Sequence, residues 1–442
     1  MKARAIRGTG LSILGFGGSQ FIRLASNLVL TRILFPEAFG LMALVQVVLS
    51  ALEMFSDIAI GPSIVRSSRG DDPKFLQTAW SLQIIRGVIL WVAACALAVP
   101  VAGFYGQDDL IWMIPIVALS TIIAGFGSIH MNTANRHLTL GKLTAVELGS
   151  QVLGIAVMIG LAWWLQSVWA LVYGSLAIAF FKTALSHILL PGPANKIGWD
   201  KSAFLEIYHF GKYIFLGTIS GFFIQHGDRM ILGKFITLEE LAVYTIALML
   251  ASVPQLLGAQ MINRVFLPLY RTHPPAESAG NRAKIGRVLF LVRGGLVVMA
   301  LLFALSGEYL IDLLYDDRYQ TAGVLLVLLS LSILPRILIT GYDGILLAAG
   351  NSRDFTILTL FTAIFKIAVL FVLVSKFGLV GAILTPVVVD FVTYPALVWF
   401  IHRYGGWYPR IDVALLALSA LVCALAFWFS PNSWAELTSL RW

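Results

Sequence analysis

Charged side chains lie inside several long apolar runs of this chain, and their types and spacing are those that could do chemistry. Eight of the 31 Lys and Arg residues remain in or at the ends of these runs once those assigned to the connections between them are set aside. The bases are Arg23, Arg86, Lys182, Arg229, Arg264, Arg293, Arg336 and Lys366, and the acids at similar depth are Glu53, Asp57, Glu147, Asp228, Asp343 and Asp390. A charge at mid-bilayer costs about 2.5–3.5 kcal/mol even on a lenient insertion scale. We therefore expect these groups to face one another or water.

Polar residues in four of these runs recur with the period of a helix. The stripes are Gln20-Arg23-Asn27-Thr31, Gln46-Ser50-Glu53-Asp57, Ser332-Arg336-Thr340-Asp343 and Thr359-Thr362-Lys366. Spacings of three and four residues place each set on one helix face. Four such faces predict a shared hydrated cavity, and the excess of bases over acids predicts that it attracts an anion such as phosphate. The alternative is that buried ion pairs, for example Arg23 with Asp57 or Arg336 with Asp343, fix helix register.

The composition indicates the class of protein in which these charged residues lie. Of 442 residues, 12% are charged and 59% apolar, with a mean hydropathy of +0.86. Soluble domains carry roughly 25% charged residues, so the sequence predicts an all-α polytopic membrane protein. Twelve to fourteen spans are possible and thirteen are counted. The runs are 11–34, 39–60, 75–101, 110–131, 143–165, 168–190, 209–232, 241–263, 286–306, 321–347, 355–375, 380–401 and 411–430.

The Lys and Arg residues between the runs predict the orientation. Eighteen lie in one set of connections, which includes the N-terminus, and five in the opposite set. Positive charge concentrates on the cytoplasmic side, so the N-terminus is predicted to be cytoplasmic, and an odd span count then places the C-terminus outside. The net charge of +8 therefore indicates membrane orientation rather than nucleic-acid binding. The basic start with the run after it is interpreted as an uncleaved first helix.

A weak internal repeat predicts two halves. Residues 30–44, LTRILFPEAFGLMAL, resemble residues 232–246, LGKFITLEELAVYTI, at an offset of 202. An even number of spans separates the copies, which predicts parallel repeats with a substrate site near mid-membrane between them. The predicted organisation is two pseudo-symmetric six-helix lobes, 1–190 and 209–401, around a central cavity. A cytoplasmic linker with an interfacial segment covers 191–208, and an additional helix and tail cover 402–442.

Motifs for catalysis and cofactors are missing from the sequence. There is no GxxxxGK[ST], no HExxH and no GxSxG with triad partners, and the seven histidines are scattered. Cys95 and Cys423 lie far apart in apolar runs and predict no disulfide framework. We expect no catalytic residue, no metal site and no cofactor.

Two segments resemble a known family. GFGGSQFIRLASNLVLTRILFPEAFGLMAL near the start is similar to the N-terminal signature of bacterial polysaccharide flippases, and FGKYIFLGTISGFFIQHGDRMILGKF resembles their seventh span. These are the Wzx-type oligosaccharide flippases of the multidrug/oligosaccharidyl-lipid/polysaccharide (MOP) exporter superfamily. The resemblance implies two six-helix lobes in a V shape, and alternating access across the bacterial inner membrane. The implied substrate is an undecaprenyl-diphosphate-linked oligosaccharide. Membrane lipids, a polysaccharide polymerase and chain-length machinery are the expected partners.

Under this resemblance the in-membrane polar residues acquire expected roles. The expected contacts to diphosphate or sugar are Arg23, Asn27, Arg86, Gln225, Arg229, Arg336, Thr340 and Lys366. The candidates for ion or proton coupling are Asp57, Asp228, Asp343 and Asp390. A cation-coupled multidrug exporter, a peptidoglycan-precursor flippase and a membrane glycosyltransferase or polymerase remain as alternatives. Short outer loops count against the last of these.

Overall fold

The computed structural model describes residues 2–190 and 192–429, and this part of the chain is built from helices and turns. The helices are α1 (Lys2–Ile33), α2 (Pro36–Phe55), α3 (Ile60–Arg66), α4 (Pro73–Tyr105), α5 (Leu110–Gly125), α6 (His130–Arg136), α7 (Leu140–Leu165), α8 (Trp169–Leu189), α9 (Lys201–Phe235), α10 (Leu238–Ala251), α11 (Val253–Met261), α12 (Leu267–Thr272), α13 (Ala279–Leu314), α14 (Thr321–Ser332), α15 (Leu334–Ile339), α16 (Asp343–Ala348), α17 (Ser352–His402) and α18 (Pro409–Phe429). A π-helical turn, Ile262–Phe266, joins α11 to α12. A 3₁₀ turn, Asp317–Tyr319, precedes α14.

Many of these helices are suited to crossing a membrane. Among the described residues, eight helical segments are long and apolar enough, or up to ten if each of two bent pairs is one span. The bent pairs are α5 with α6, at 61°, and α10 with α11–α12, at 44°. The more polar α1 and α9 are outside this set. The chain is therefore a multi-pass, all-α membrane protein, and the number thirteen stays a prediction.

The helix α17 is too long to be one span. Its 51 residues would extend about 75 Å, against a hydrocarbon core of about 30 Å. Gly378 breaks the helix with φ 54° and ψ −131°, a conformation that glycine adopts without steric cost. Gly381 then approaches the backbone of Leu373 so closely that a Cβ would collide with it. The break falls between the predicted runs 355–375 and 380–401.

The chain forms two compact units, Met1–Phe222 and Phe223–Trp442, so the division falls inside α9. In the first unit α7 packs along α8, α4 along α5, and α1 along α7. In the second unit α14 packs against both α10 and α13, and α18 packs against α13. The predicted lobe and linker boundaries at 190 and 208 stay a prediction.

The internal repeat extends to the ends of helices. The helix α1 ends at Ile33 and α2 begins at Pro36, whereas α9 ends at Phe235 and α10 begins at Leu238. Both pairs of positions differ by the offset of 202 that the sequence predicts. The two halves therefore share a helix–turn–helix element, and not only a similar composition.

Connections assigned to one side of the membrane meet within each unit. In the first unit Arg136 Nε lies 3.0 Å from Asp71 Oδ2, although 65 residues separate them. In the second unit Arg403 Nη1 lies 3.4 Å from Asp354 Oδ2. Each pair joins two connections that the Lys and Arg distribution assigns to the same face.

Candidate functional site

Arg336 and Asp343 flank a break between α15 and α16. Thr340 leaves the helical conformation with ψ 128°, and Gly341 follows with φ +93°. Glycine reaches that φ without steric cost, so it permits the turn. Arg336 Nη2 then lies 3.3 Å from Asp343 Oδ2 across the break. The prediction that Ser332, Arg336, Thr340 and Asp343 form one stripe on a continuous helix is wrong, because the helix ends at Ile339.

Six charged side chains of the second unit come together around this break. They are Asp228, Arg229, Arg336, Asp343, Lys366 and Asp390, which we call the charged cluster. Arg336 Nη1 lies 3.7 Å from Asp390 Oδ1. Lys366 Nζ donates to the Ile224 carbonyl and lies within electrostatic range of Asp228, Arg229, Arg336 and Asp390. All six residues are among the charges expected inside the membrane, and the pair of Arg336 with Asp343 is the one contact among them that the sequence predicts.

Two buried atoms of the charged cluster lack hydrogen-bond partners among the described residues. Tyr244 donates to Asp228 Oδ2 at 2.9 Å, but Asp228 Oδ1 receives no hydrogen bond. The Nε of Arg229 is buried and likewise has no acceptor. An unsatisfied buried polar atom costs about 1–3 kcal/mol. The charged cluster is therefore not fully satisfied by its own hydrogen bonds.

The contacts of Arg336 leave its guanidinium available. A charge-assisted N–H···O bond is about 2.7–2.9 Å long, and both ion-pair distances of Arg336 are longer. About a third of its side chain, 32%, is exposed, whereas Asp390 is 7% exposed. An incoming anion can thus contact Arg336 without first breaking a short, saturated ion pair.

The charge of the charged cluster differs from the sequence expectation. Three bases face three acids within it, whereas the sequence suggested an excess of bases over the whole set. Because bases and acids are equal in number, such a site is suited to a ligand that has both anionic groups and neutral polar groups. Every anionic oxygen that binds a base here also competes with a carboxylate.

Arg86 and Asp57 of the first unit stabilise backbone at the end of α2. Arg86 Nε donates to the Ser56 carbonyl at 3.0 Å, and Nη2 donates to the Glu53 carbonyl at 2.6 Å. Asp57 Oδ1 accepts from the Ala59 N–H at 2.8 Å, where Ala59 has a φ of +54°. Carbonyls at a helix C-terminus lack intrahelical partners and favour a nearby cation. These contacts give both residues a structural role in addition to any role in binding.

The other four predicted contacts occupy different settings. Arg23 is exposed on α1 and Asn27 is half-buried one turn later. Gln225 is exposed on α9, next to the carbonyl that accepts from Lys366. Thr340 Oγ1 donates to the Arg336 carbonyl at 3.1 Å, so its hydroxyl proton is already used.

A second buried set of polar residues was missed from the sequence. Arg293 is fully buried, and its Nη1 donates to Asp412 Oδ1 at 3.0 Å while Nε donates to the Thr340 carbonyl at 2.8 Å. The hydroxyls of Tyr342 and Tyr394 also donate to Asp412, each at 2.7 Å to its nearer oxygen. We call these residues the Arg293–Asp412 cluster. It joins α13, the break after α15, α17 and α18, and it is a structural site.

Asp412 was overlooked because it lies in the first turn of α18. An acid at that position is ordinary, since it stabilises the positive end of the helix dipole. The one indication in the sequence of this cluster was Arg293, one of eight in-membrane bases set against six acids. Its partner Asp412 lies 119 residues away. No group of three or more metal-ligating side chains suited to an ion occurs in residues 2–190 and 192–429.

The fold has close counterparts among solved membrane transporters. The lipid II flippase MurJ in an inward closed conformation aligns with a TM-score of 0.70 at 10% identity, over 94% of this chain and 91% of MurJ. A multidrug resistance transporter of the MATE family and MOP superfamily, in its inward-facing conformation, aligns with a TM-score of 0.64 at 15% identity. That alignment covers 87% of this chain and 95% of the transporter. The chain therefore has the fold that these two transporters share.

Sequence comparison identifies the family. The polysaccharide biosynthesis protein family matches residues 29–324, about two thirds of the chain, and the chain belongs to that family. The teichuronic acid biosynthesis protein TuaB of Bacillus subtilis is 21% identical over 315 residues. This alignment covers 67% of the chain and 61% of TuaB, so the chain matches less than two thirds of that relative's length. The predicted family is confirmed.

Proposed function

We propose that this chain is a flippase that carries a lipid-linked oligosaccharide across the bacterial inner membrane for surface polysaccharide synthesis. Membership of the polysaccharide biosynthesis protein family is the observation that carries the proposal. The MOP-superfamily fold supports transport rather than catalysis as the activity. The proposed lipid carrier is undecaprenyl diphosphate, and its charge is what a transporter must shield from hydrocarbon.

The charged cluster supplies the chemistry for that shielding. Arg336, with about a third of its side chain exposed and two long ion pairs, is the proposed first contact for the diphosphate. Its planar fork binds two phosphate oxygens at once. Lys366 and Arg229 add donors nearby, and exposed Gln225 offers an amide to a sugar hydroxyl. Arg23, Asn27 and Arg86 of the first unit remain proposed contacts.

The acids of the charged cluster are proposed to return it to its ion-paired state after each transport cycle. When the diphosphate takes Arg336, Asp343 and Asp390 lose a partner and become sites for a proton or a cation. When the diphosphate leaves, the ion pairs form again. Asp228 and Asp57 remain further candidates for coupling, although Asp228 already accepts from Tyr244 and Asp57 from the Ala59 N–H.

The expected direction of transport follows from the predicted orientation. With the N-terminus in the cytoplasm, the substrate enters from the cytoplasmic face, where lipid-linked units are made. It leaves on the outer face, where a polymerase with its chain-length machinery consumes it.

The test replaces Arg336 in a strain whose chromosomal copy is deleted. Arg336→Ala is expected to lower surface polysaccharide at least tenfold, because the diphosphate loses its bidentate donor. Arg336→Lys keeps the charge and should retain part of the activity. Arg353→Ala, which removes an exposed arginine of the same unit outside the charged cluster, is the matched control.

Membrane abundance of each variant separates function from folding. Arg336→Ala leaves Asp390 without its ion pair, so a double variant with Asp390→Asn is measured beside it. Normal polysaccharide in both variants at normal abundance would contradict the anion site. Drug extrusion without polysaccharide loss on deletion would instead favour a multidrug exporter of the same fold. Loss of peptidoglycan synthesis on deletion would favour a peptidoglycan-precursor flippase.

A further inference from the structure

A groove of about 800 Å³ opens at the end of α17. One wall is the last turns of that helix, residues 394–403, and the other is Trp407 from the turn before α18. None of its lining residues belongs to the charged cluster. Nothing in the proposed transport step uses it.

The groove lies where the chain leaves the membrane. The half of α17 after Gly378 ends at His402, and the spanning helix α18 begins at Pro409. Because both helices cross the bilayer, the turn between them lies at the level of the lipid headgroups. Tryptophan is enriched at that level, and Trp399, 67% exposed, faces outward there.

Arg403 gives the groove a positive charge with donors to spare. Its guanidinium carbon lies 5.2 Å from the ring centroid of Trp399, and its Nη1 forms the 3.4 Å ion pair with Asp354. The side chain is 47% exposed. Among the described residues no acceptor is bonded to its Nε or Nη2, or to the indole N–H of Trp399. A guanidinium held against an indole is oriented before any ligand arrives.

The lining has one permanent base and no carboxylate. Asp354, the acid outside it, already accepts from Asn351 at 2.7 Å as well as pairing with Arg403. Arg282 adds a second base beside the groove, because its Nη2 donates to the Trp407 carbonyl at 2.9 Å. The surroundings therefore favour an anion over a neutral zwitterion.

The apolar part of the groove continues along the membrane-facing side of α17. Pro395 and Val398 lie in the wall, and Phe391 and Val392, about half exposed, precede them on the same helix. A surface that is charged at the headgroup level and apolar toward the core matches the two ends of a lipid.

We propose that this groove is a binding site for an anionic phospholipid of the surrounding membrane. The phosphate accepts from Arg403 and from the indole N–H of Trp399, and an acyl chain lies along Val398 and Phe391. The proposal rests on the chain being a membrane protein. It is independent of what the chain transports.

The experiment measures lipid retention by the purified full-length chain. Native mass spectrometry compares dioleoylphosphatidylglycerol with dioleoylphosphatidylcholine at matched concentrations. Both lipids carry the phosphate, but the choline ammonium of phosphatidylcholine adds a positive charge that Arg403 and Arg282 repel. We therefore expect about tenfold tighter retention of phosphatidylglycerol. Arg403→Gln should abolish the preference, and Arg403→Lys should keep part of it. Trp399→Phe, which removes the N–H donor but keeps an aromatic ring beside Arg403, should weaken phosphatidylglycerol retention about threefold.

Arg353→Gln is the matched control, because Arg353 is an exposed arginine at the start of α17 that does not line the groove. Three outcomes overturn the proposal. They are equal retention of the two lipids, an equal loss of phosphatidylglycerol retention with Arg353→Gln, and near-complete displacement of phosphatidylglycerol by equimolar undecaprenyl phosphate. The last outcome would assign the groove to the transported lipid. Since binding is measured without transport, failure here leaves the proposed flippase activity untouched, and the reverse also holds.

Discussion

At the scale of single residues, the Arg293–Asp412 cluster is the most consequential set of contacts for stability. Replacing Asp412 with Asn leaves a fully buried guanidinium without its counter-charge. Removing one partner of a buried ion pair costs about 3–5 kcal/mol. We therefore expect Asp412→Asn to lower the melting temperature of the purified protein substantially, as followed by size-exclusion chromatography after heating.

Arg410→Gln serves as the control for that change, because Arg410 is exposed and lies only two residues away. It should change the free energy of unfolding by less than about 0.5 kcal/mol, and so leave the melting temperature nearly unchanged. The double variant Arg293→Met with Asp412→Leu removes the unpaired charge and should recover part of the loss. The recovery stays incomplete because the Tyr342 and Tyr394 hydroxyls and the Thr340 carbonyl lose their partners. A stable Asp412→Asn protein would show that Arg293 finds another partner.

Asp200 provides a residue whose contribution depends on pH. Its Oδ1 accepts from the Ser202 hydroxyl at 2.5 Å and from the N–H groups of Ser202 and Ala203 at 2.7 and 3.0 Å. These bonds, with a smaller contribution from Arg69, lower the pKa of Asp200 to about 2 from an ordinary 3.8. The carboxylate therefore stabilises the fold above about pH 4, and this stabilisation is lost as the pH falls toward 2.

The measurement is the difference in melting temperature between the wild type and Asp200→Asn across pH. The wild type should be the more stable protein from pH 5 to 8, and the difference should shrink below pH 4. Asp108→Asn, in an exposed turn of the same unit, is the control variant measured beside it. A difference that stays undiminished from about pH 5 down to about pH 2 would mean that the carboxamide loses more than charge.

At the scale of helices, close approach of backbones depends on particular glycines. Gly154 of α7 faces α8, and a Cβ there would lie 2.7 Å from both the N and Cα of Ile178. Gly160 lies in the same helix with nothing within 4 Å of such a Cβ. The two glycines therefore separate the effect of helix packing from that of helix propensity.

We expect Gly154→Ala to destabilise the protein by about 1–3 kcal/mol, because the clash is with backbone that cannot rotate away. Gly160→Ala should be neutral or stabilise by up to about 1 kcal/mol, the helix propensity that alanine gains. Thermal melting in detergent checks both. Equal effects of the two substitutions would show that α7 and α8 separate freely.

Sequence periodicity predicted helices more readily than the points where they break. The repeat offset located the turns before Pro36 and Leu238 correctly, because a basic residue, a short turn and an acid recur there. The break at Thr340 was missed, since a spacing of four and then three residues continues the helical period through it. A break of that kind depends on tertiary contacts, here the bond from Arg293 to the Thr340 carbonyl, 47 residues away in sequence.

In the candidate site, too, the sequence predicted which residues matter but not which partners they contact. Charges in apolar runs identified Arg336, Lys366 and Asp390 because they are costly in a membrane wherever they point. Their roles depend on partners. Arg86, selected by the same rule, donates to carbonyls at the end of α2, and no sequence spacing indicates that.

At the scale of the whole molecule, in-membrane charge is close to balanced. With Asp412 included, the eight in-membrane bases face seven acids. The proposed flippase activity therefore does not require a strongly cationic interior. It requires a few bases that can release their acids, and the long contacts of Arg336 suit that proposal.

The orientation of the chain is a property of the whole molecule that single-cysteine labelling can test. Cys95 and Cys423 are first replaced with Ala, and a cysteine is then placed at one exposed position at a time. Ser68→Cys and Glu277→Cys lie in connections predicted to be cytoplasmic, whereas Asp108→Cys and Gln320→Cys lie in opposite ones. A membrane-impermeant maleimide applied to intact spheroplasts should label only the second pair, because the excess of Lys and Arg holds the first pair inside. Disruption of the membrane should expose all four equally. Labelling of Ser68→Cys or Glu277→Cys in intact cells would reverse the orientation and, with it, the face from which the proposed substrate enters.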